Sequence, residues 1–325
     1  MRNRKILSLL LYLLTFGSVR VTAADGVHSG QQLEPFVFTT AWTAQAEFAG
    51  YYAAKELGFY QDAGLDVKIL HPSITSTVYH RMSTDECNAG MFSMMPAMEL
   101  IADGAPLVNI FQTSMNCSYL IVSRNGKSPL SQKGIRLAIY NSEPNYMSVI
   151  MNHRERMNYE FVKFTGNINV FLAGAVDAMA VVSYNEYYQL KQAGFDMPEQ
   201  SLFRFRDHGY NIQENGVYVK RDFYESHREQ VKHFAEASRR GWEWVAQHQE
   251  EALDIVMKYV RADKVPTNRV LQKLMLQEIL RLQKDPDSGK REFRVRPDMV
   301  RKACRMMQEC GILKREVTYD ELMGK

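Results

Sequence analysis

Several common signatures are scarce or absent in this chain of 325 residues. Its 4 cysteines, whose pairing stays open, are too few for a disulfide scaffold. Its 40 Lys and Arg nearly balance its 37 Asp and Glu, so we expect no nucleic-acid partner. Beyond the amino terminus, no stretch approaches the ~18 apolar residues of a transmembrane helix. Sequence cues for hydrolases, zinc peptidases and nucleotide phosphates are also missing. We therefore expect no catalytic residues, no metal and no cofactor.

The amino terminus has a composition of its own. Arg2, Arg4 and Lys5 precede a mostly apolar stretch at residues 6–17, and the small-residue sequence Val-Thr-Ala follows at residues 21–23. A retained membrane anchor is the alternative, but this stretch rises only about 18 Å as a helix, short of the ~30 Å hydrocarbon core. The pattern predicts a cleaved signal peptide at residues 1–23 and a periplasmic location. Cleavage removes four basic residues and no acidic ones, which changes the net charge from +3 to −1.

From residue 34 the chain alternates between strand-like and helix-like segments. Residues 35–70 have a strand–helix–strand pattern, which predicts a parallel sheet with crossover helices. The alternation of predicted strands and helices starts again at residue 134, and from residue 221 the pattern is helical. We expect an α/β fold with lobe one at residues 34–123 plus 221–325 and lobe two at residues 124–220. The chain should cross between the lobes near residues 119–123 and 217–220, beside a ligand cleft at the strand ends.

One segment carries a specific likeness. Residues 42–69 read WTAQAEFAGYYAAKELGFYQDAGLDVKI. They resemble the opening of the periplasmic solute-binding proteins of ABC importers for nitrate, sulfonates and taurine. Within that group the segment is most similar to the branch that binds thiamine-pyrimidine precursors, whose eukaryotic relatives are thiamine-pyrimidine synthases. Two further likenesses are AGAVDA at residues 173–178 and Tyr-Asn-Glu at residues 184–186.

The resemblance implies the two-lobed, type II periplasmic binding protein fold. That fold has two mixed, mainly parallel sheets, a central cleft and a C-terminal helical region that packs on lobe one. We expect a monomer that captures a small, pyrimidine-like thiamine precursor by lobe closure and delivers it to an ABC permease. Open alternatives are presentation of the ligand to a membrane sensor kinase, a sulfonate, nitrate or taurine ligand, and a synthase-like enzyme. The pyrimidine-binding and synthase branches often carry a histidine where this chain has Phe48, and the synthases have a cysteine cluster that it lacks, so we expect no enzyme activity.

Candidate ligand contacts in lobe one follow its first predicted strand. Trp42 ends that strand, where an indole can stack on a flat ligand and donate one hydrogen bond, although a half-buried core aromatic is the alternative. Gln45 and Phe48 lie at the entry to the next helix, where free N–H groups suit anions or carbonyls. Further candidates in this lobe share a place at the end of a strand. They are Ser93, Met94, Gln112 and Asn116.

Lobe two supplies the remaining candidates. Glu186 can accept hydrogen bonds from a ring amine, and Tyr184 can stack opposite Trp42, while a solvated glutamate in a first helical turn is the alternative. Asn185 lies between them. Asn141 and Ser142 occupy a polar loop before a helix, where they would serve equally as a plain helix cap.

Overall fold

A computed structural model describes residues 32–73, 76–140 and 145–325. The predicted signal peptide and two predicted ligand contacts, Asn141 and Ser142, lie outside these ranges. Strands and helices alternate in the first two thirds of the described residues, and helices dominate the last third. The strands in the described ranges are β1 (Glu34–Thr39), β2 (Leu65–Leu70), β3 (Ala89–Ser93), β4 (Leu107–Gln112), β5 (Tyr119–Ser123), β6 (Arg136–Tyr140), β7 (Glu160–Phe164), β8 (Ala178–Val182), β9 (Leu202–Arg204) and β10 (Asn215–Lys220).

The first sheet has the strand order β2-β1-β3-β10-β4. β1 pairs in parallel with β2 and β3, whereas β10 is antiparallel to β3 and to β4. Four strands therefore run one way and β10 runs against them. Phe36 and Phe38 of β1 are fully buried, because alternate residues of a strand face the same side of its sheet. Both rings pack against Phe234 of the helical region.

The second sheet repeats this arrangement with the order β7-β6-β8-β5-β9. β6 pairs in parallel with β7 and β8, and β5 is antiparallel to β8 and β9. β8 has the sequence AMAVV and is buried at every residue, as expected for a strand covered on both faces. Each sheet is thus mixed and mainly parallel, with one reversed strand in the fourth position.

Helices cover both sheets. α9 and α10 pack on α1 in lobe one, while α11 and α12 also contact α7 and α5 of lobe two. No described helix is long and apolar enough to cross a membrane. The α-helices in the described ranges are α1 (Ala49–Glu56), α2 (Phe59–Asp62), α3 (Val78–Ser83), α4 (Met94–Ala102), α5 (Tyr146–Arg154), α6 (Asn169–Leu172), α7 (Glu186–Gln192), α8 (Arg221–Ser226), α9 (Arg228–Gln247), α10 (Gln249–Ala262), α11 (Arg269–Leu282), α12 (Pro297–Glu309) and α13 (Tyr319–Leu322).

The predicted lobe boundaries are each displaced by one strand. The sequence pattern assigns β5 to lobe one and β10 to lobe two, but β5 pairs within the second sheet and β10 within the first. The chain therefore crosses at residues 113–118, between β4 and β5, and at residues 205–214, between β9 and β10. The sequence of a strand next to a crossing does not show which sheet it joins. That choice depends on pairing with strands that are distant in the chain.

Glycines allow α1 and α9 to cross at close range. A Cβ atom on Gly50 would lie 2.2 Å from the ring of Trp242, and one on Gly241 would lie 2.1 Å from the carbonyl oxygen of Gly50. Trp242 is fully buried, so its ring has little room to yield. Because α1 follows the loop that carries Trp42, the close packing of α1 on α9 helps to hold that loop in place.

Replacing Gly50 with alanine should therefore destabilise the fold. We expect Gly50→Ala to lower the free energy of unfolding by about 2 kcal/mol, because overpacking a close contact forces side chains and backbone to shift. Urea unfolding followed by circular dichroism measures the change. The control is Glu236→Ala, an exposed position on α9, which should change stability by less than about 0.5 kcal/mol. Equal stability of Gly50→Ala and wild type would contradict the packing account.

Candidate functional site

A cleft lies between the two sheets, at the edge where the parallel strands end and the reversed strands begin. Loops after β1, β3, β6 and β8 meet there with the first residues of β5 and β10. The cleft holds about 580 Å³ of space, counted with its open mouth. Its lining residues are Ala41, Trp42, Gln45, Glu47, Ser93, Tyr119, Tyr140, Asn145, Val182, Tyr184, Asn185, Glu186 and Asn215.

Trp42 reaches from lobe one toward lobe two. Its carbonyl oxygen accepts a hydrogen bond of 2.8 Å from the Thr40 hydroxyl and lies 3.1 Å from Nδ1 of His71. These contacts hold the loop that carries the indole. On the far side, a Cβ atom added to Gly166, in the turn after β7, would lie 3.1 Å from the Trp42 ring. The indole thus lines the cleft and reaches the turn after β7 in lobe two.

A carboxylate from lobe one lines the cleft. Glu47 Oε1 accepts hydrogen bonds of 2.6 Å from Asn215 Nδ2 and 3.3 Å from the hydroxyl of Tyr184, while Oε2 accepts one of 2.5 Å from Gln45 Nε2. Tyr184 belongs to lobe two, so its bond to Glu47 joins the lobes directly. The side-chain amides fix the carboxylate in one orientation, because each donates to a defined oxygen.

A second carboxylate enters from lobe two. Glu186 is 2% exposed, and its oxygens accept hydrogen bonds from the backbone N–H of Val182 at 3.3 Å and from Asn185 Nδ2 at 3.1 Å. The Tyr140 hydroxyl is a further partner. Burial raises the pKa of this carboxyl above its usual value, although these hydrogen bonds work in the opposite direction. Glu186 is therefore a buried acceptor whose neighbours are neutral donors.

No lysine, arginine or histidine is among the described residues that line the cleft. The helix entry beside Gln45 also offers less to an anion than the sequence predicts, because the N–H of Ala46 already donates to Gln272 Oε1 at 2.7 Å. The lining instead combines two carboxylates with amide groups and four aromatic side chains. Such a surface suits a flat ligand with N–H donors and disfavours an anion.

Six predicted contacts line the cleft, namely Trp42, Gln45, Ser93, Tyr184, Asn185 and Glu186. Four others do not. Phe48 is fully buried among the rings of Tyr52 and His71. Gln112 Nε2 donates to backbone carbonyls where the first crossing meets β10. Asn116 donates to carbonyls at the end of α11 and beyond it, and Met94 lines a smaller neighbouring cavity.

Seven lining residues were not among the predicted contacts. They are Ala41, Glu47, Tyr119, Tyr140, Asn145, Val182 and Asn215. Glu47 lies between two predicted residues, so its sequence position was a usable signal. Asn215 and Tyr119 begin the reversed strands, and only the long-range pairing of those strands brings them to the cleft. The described residues contain no cluster of His, Cys, Asp or Glu that would hold a metal, and Cys87, Cys117, Cys304 and Cys310 are free thiols.

A sequence profile of the NMT1/THI5 like family matches residues 45–252, more than half of the chain. The chain belongs to this family. This NMT1/THI5-like protein is also 22% identical over 298 residues to the formylaminopyrimidine-binding protein of Halalkalibacterium halodurans, covering 88% of each.

Solved structures share the fold of this NMT1/THI5-like protein at low sequence identity. The periplasmic aliphatic sulphonate binding protein SsuA from Escherichia coli matches with a TM-score of 0.64 and 13% identity, over 90% of this chain and 91% of that one. The periplasmic nitrate-binding protein NrtA from Synechocystis matches with a TM-score of 0.55 and 14% identity, over 82% and 75%. The predicted two-lobed periplasmic binding protein fold is confirmed. These relatives are all named as binding proteins, in agreement with the prediction for this NMT1/THI5-like chain.

A third buried carboxylate lies beside the cleft, on the second crossing. Glu214 is 5% exposed, and its Oε1 accepts a 2.9 Å hydrogen bond from the backbone N–H of Ser118 on the first crossing. Burial raises its pKa from 4.5 to about 7. The folded protein therefore holds this proton more tightly than the unfolded chain does. The resulting stabilisation is complete below the ordinary pKa and is lost as the pH rises through about 7.

Thermal unfolding at a series of pH values tests this assignment. Between pH 5 and pH 8 the wild-type protein should lose on the order of 2 kcal/mol that Glu214→Gln does not lose. Glu251→Gln, at an exposed position on α10, should follow the wild-type curve. Parallel curves for wild type and Glu214→Gln would show that the Glu214 carboxyl does not titrate in this range.

Proposed function

We propose that this protein is an exported solute-binding protein that captures a flat, nitrogen-rich, pyrimidine-like ligand by lobe closure and delivers it to an ABC permease. The observation that carries the proposal is the chemistry of the cleft. Two carboxylates, one from each lobe, face a space that has aromatic walls and no lysine, arginine or histidine among its described lining residues. Membership of the NMT1/THI5-like family and the relative named for formylaminopyrimidine binding support the same ligand class.

An aminopyrimidine matches this surface group by group. Its exocyclic amine has N–H donors for the buried Glu186 carboxylate, and its ring nitrogens can accept from side-chain amides such as those of Asn185 and Asn145, which also line the cleft. Its flat ring can stack on Trp42 and Tyr184, which gains area burial and a favourable ring geometry. Each lobe thus supplies an aromatic face and a hydrogen-bond acceptor.

Sulfonate, nitrate and taurine are disfavoured by the same surface. Their anionic groups bind best to cations, and the described lining provides none, while the first N–H of the helix entry after Trp42 already donates to Gln272. Two like charges 4 Å apart cost about 4 kcal/mol at an effective dielectric constant of about 20. An anion in the cleft would lie beside the acceptor oxygens of Glu47 and Glu186 and would face a penalty of this kind from either carboxyl in its charged form.

Closure follows from the division of contacts between the lobes. A ligand favours the closed state only to the extent that it binds that state better than the open one. Trp42 and Glu47 belong to lobe one, whereas Tyr184 and Glu186 belong to lobe two, so a ligand touching both pairs gains its full contacts only after closure. A membrane partner can then distinguish the loaded form by its shape.

A thermal-shift screen of the purified chain tests the ligand class. Formylaminopyrimidine and aminopyrimidines should raise the melting temperature, since a ligand at 100 times its Kd adds about 2.7 kcal/mol to the free energy of unfolding. Nitrate, taurine and alkylsulfonates should not. Trp42→Ala and Glu186→Gln should each abolish most of the shift. The controls are Trp244→Ala, a half-buried tryptophan on α9, and Glu251→Gln, which should bind as wild type.

A shift by sulfonates alone would refute the pyrimidine assignment while leaving a binding protein. Wild-type affinity in both Trp42→Ala and Glu186→Gln would refute the assignment of the cleft. Release of a chemically altered product would identify an enzyme instead.

A further inference from the structure

Helix α11 contacts two of the loops that form the cleft, those after β1 and β8, and both crossings between the lobes. Near its start, Gln272 Oε1 accepts the 2.7 Å hydrogen bond from the N–H of Ala46, in the cleft loop of lobe one. At its end, the carbonyl oxygen of Leu282 accepts hydrogen bonds from the N–H of Met115 at 3.0 Å and from Asn116 Nδ2 at 3.3 Å. Both donors belong to the first crossing. α11 is therefore anchored to lobe one and to the first crossing.

Between these anchors, α11 also reaches lobe two. Glu278 Oε1 accepts a 2.6 Å hydrogen bond from the hydroxyl of Ser183, the residue that precedes Tyr184 in the second cleft loop. The same carboxylate pairs with Arg281 one turn along the helix, at 2.7 Å from Nε, and lies 3.9 Å from Nη1 of Arg206 on the second crossing. The buried Glu278 carboxylate thus contacts lobe two, the second crossing and its own helix.

The Glu278 carboxylate is ionised in this setting. It is 7% exposed, and burial alone would raise its pKa, but the hydrogen bonds from Arg281 and Ser183 and the positive charges of Arg281 and Arg206 hold the pKa below its usual value. Tyr188 of α7 is a further titratable group near it. A hydrogen bond to an ionised acceptor is stronger than one between neutral groups. The hydrogen bond from Ser183 is therefore stronger than one to a neutral acceptor would be.

We infer that the Ser183–Glu278 hydrogen bond is a latch for the closed state, and that Glu278 is a positioning residue for the second cleft loop. The inference rests on the proposed function for lobe closure and for the identity of the ligand. Opening the lobes separates Ser183 from α11, so the bond stabilises the closed state alone. Because observed affinity scales with the fraction of closed molecules, the latch sets affinity without touching the ligand.

Two measurements on the full chain test this latch. Small-angle X-ray scattering gives the radius of gyration of the ligand-free protein, and calorimetric titration with formylaminopyrimidine gives the affinity. We expect Ser183→Ala to increase the radius of gyration and to weaken binding about tenfold. Ser183→Thr keeps the hydroxyl and should restore both values. The matched control is Lys273→Gln, which removes the 2.6 Å ion pair from α11 to Glu250 within lobe one and should change neither.

The latch is refuted if Ser183→Ala leaves both measurements at their wild-type values, or if Lys273→Gln changes them equally. Failure of Ser183→Thr to restore them would assign the effect to packing and also refute it. If formylaminopyrimidine does not bind even the wild-type protein, the proposed ligand fails, while scattering by the ligand-free variants still decides the latch.

Discussion

The reversed strand in each sheet is the constraint on which the site depends. β10 runs against the strands of the first sheet and β5 against those of the second, so each begins at the edge where its parallel neighbours end. The chain must therefore cross between the sheets twice at that edge. The crossings bring Tyr119 and Asn215 to the loops that carry Trp42 and Glu186.

The charges and hydrogen-bonding groups of the cleft then determine which class of ligand this fold can bind. The solved neighbours named for sulphonate and nitrate share the fold, yet a shared fold does not fix the ligand. In this chain the helix-entry N–H is used by Gln272, and the cleft carboxylates are oriented by neutral amides and hydroxyls. The same α/β frame that can present positive groups to an anion here presents acceptors. Ligand class therefore depends on a few side chains.

The sequence predicted those features that depend on residues close together in the chain. The strand–helix alternation could be predicted because hydrophobic period and turn position are short-range signals. Trp42, three residues beyond the end of β1, and the Tyr184–Glu186 stretch were singled out largely through the family resemblance. Phe48 and Gln112 were assigned to the ligand because an aromatic or an amide near a strand end has the same pattern whether it packs inward or faces a cleft. Asn215 was missed, and the lobe boundaries were displaced by one strand, because strand partnership over about 100 residues leaves no local trace.

A crystal structure of the complex with formylaminopyrimidine tests the central claim most directly. The account predicts the ring between Trp42 and Tyr184, with its amine within hydrogen-bonding distance of a Glu186 oxygen and no cationic side chain against the ligand. A ring bound outside the cleft, or inside it with its amine turned away from both Glu186 and Glu47, would contradict the account.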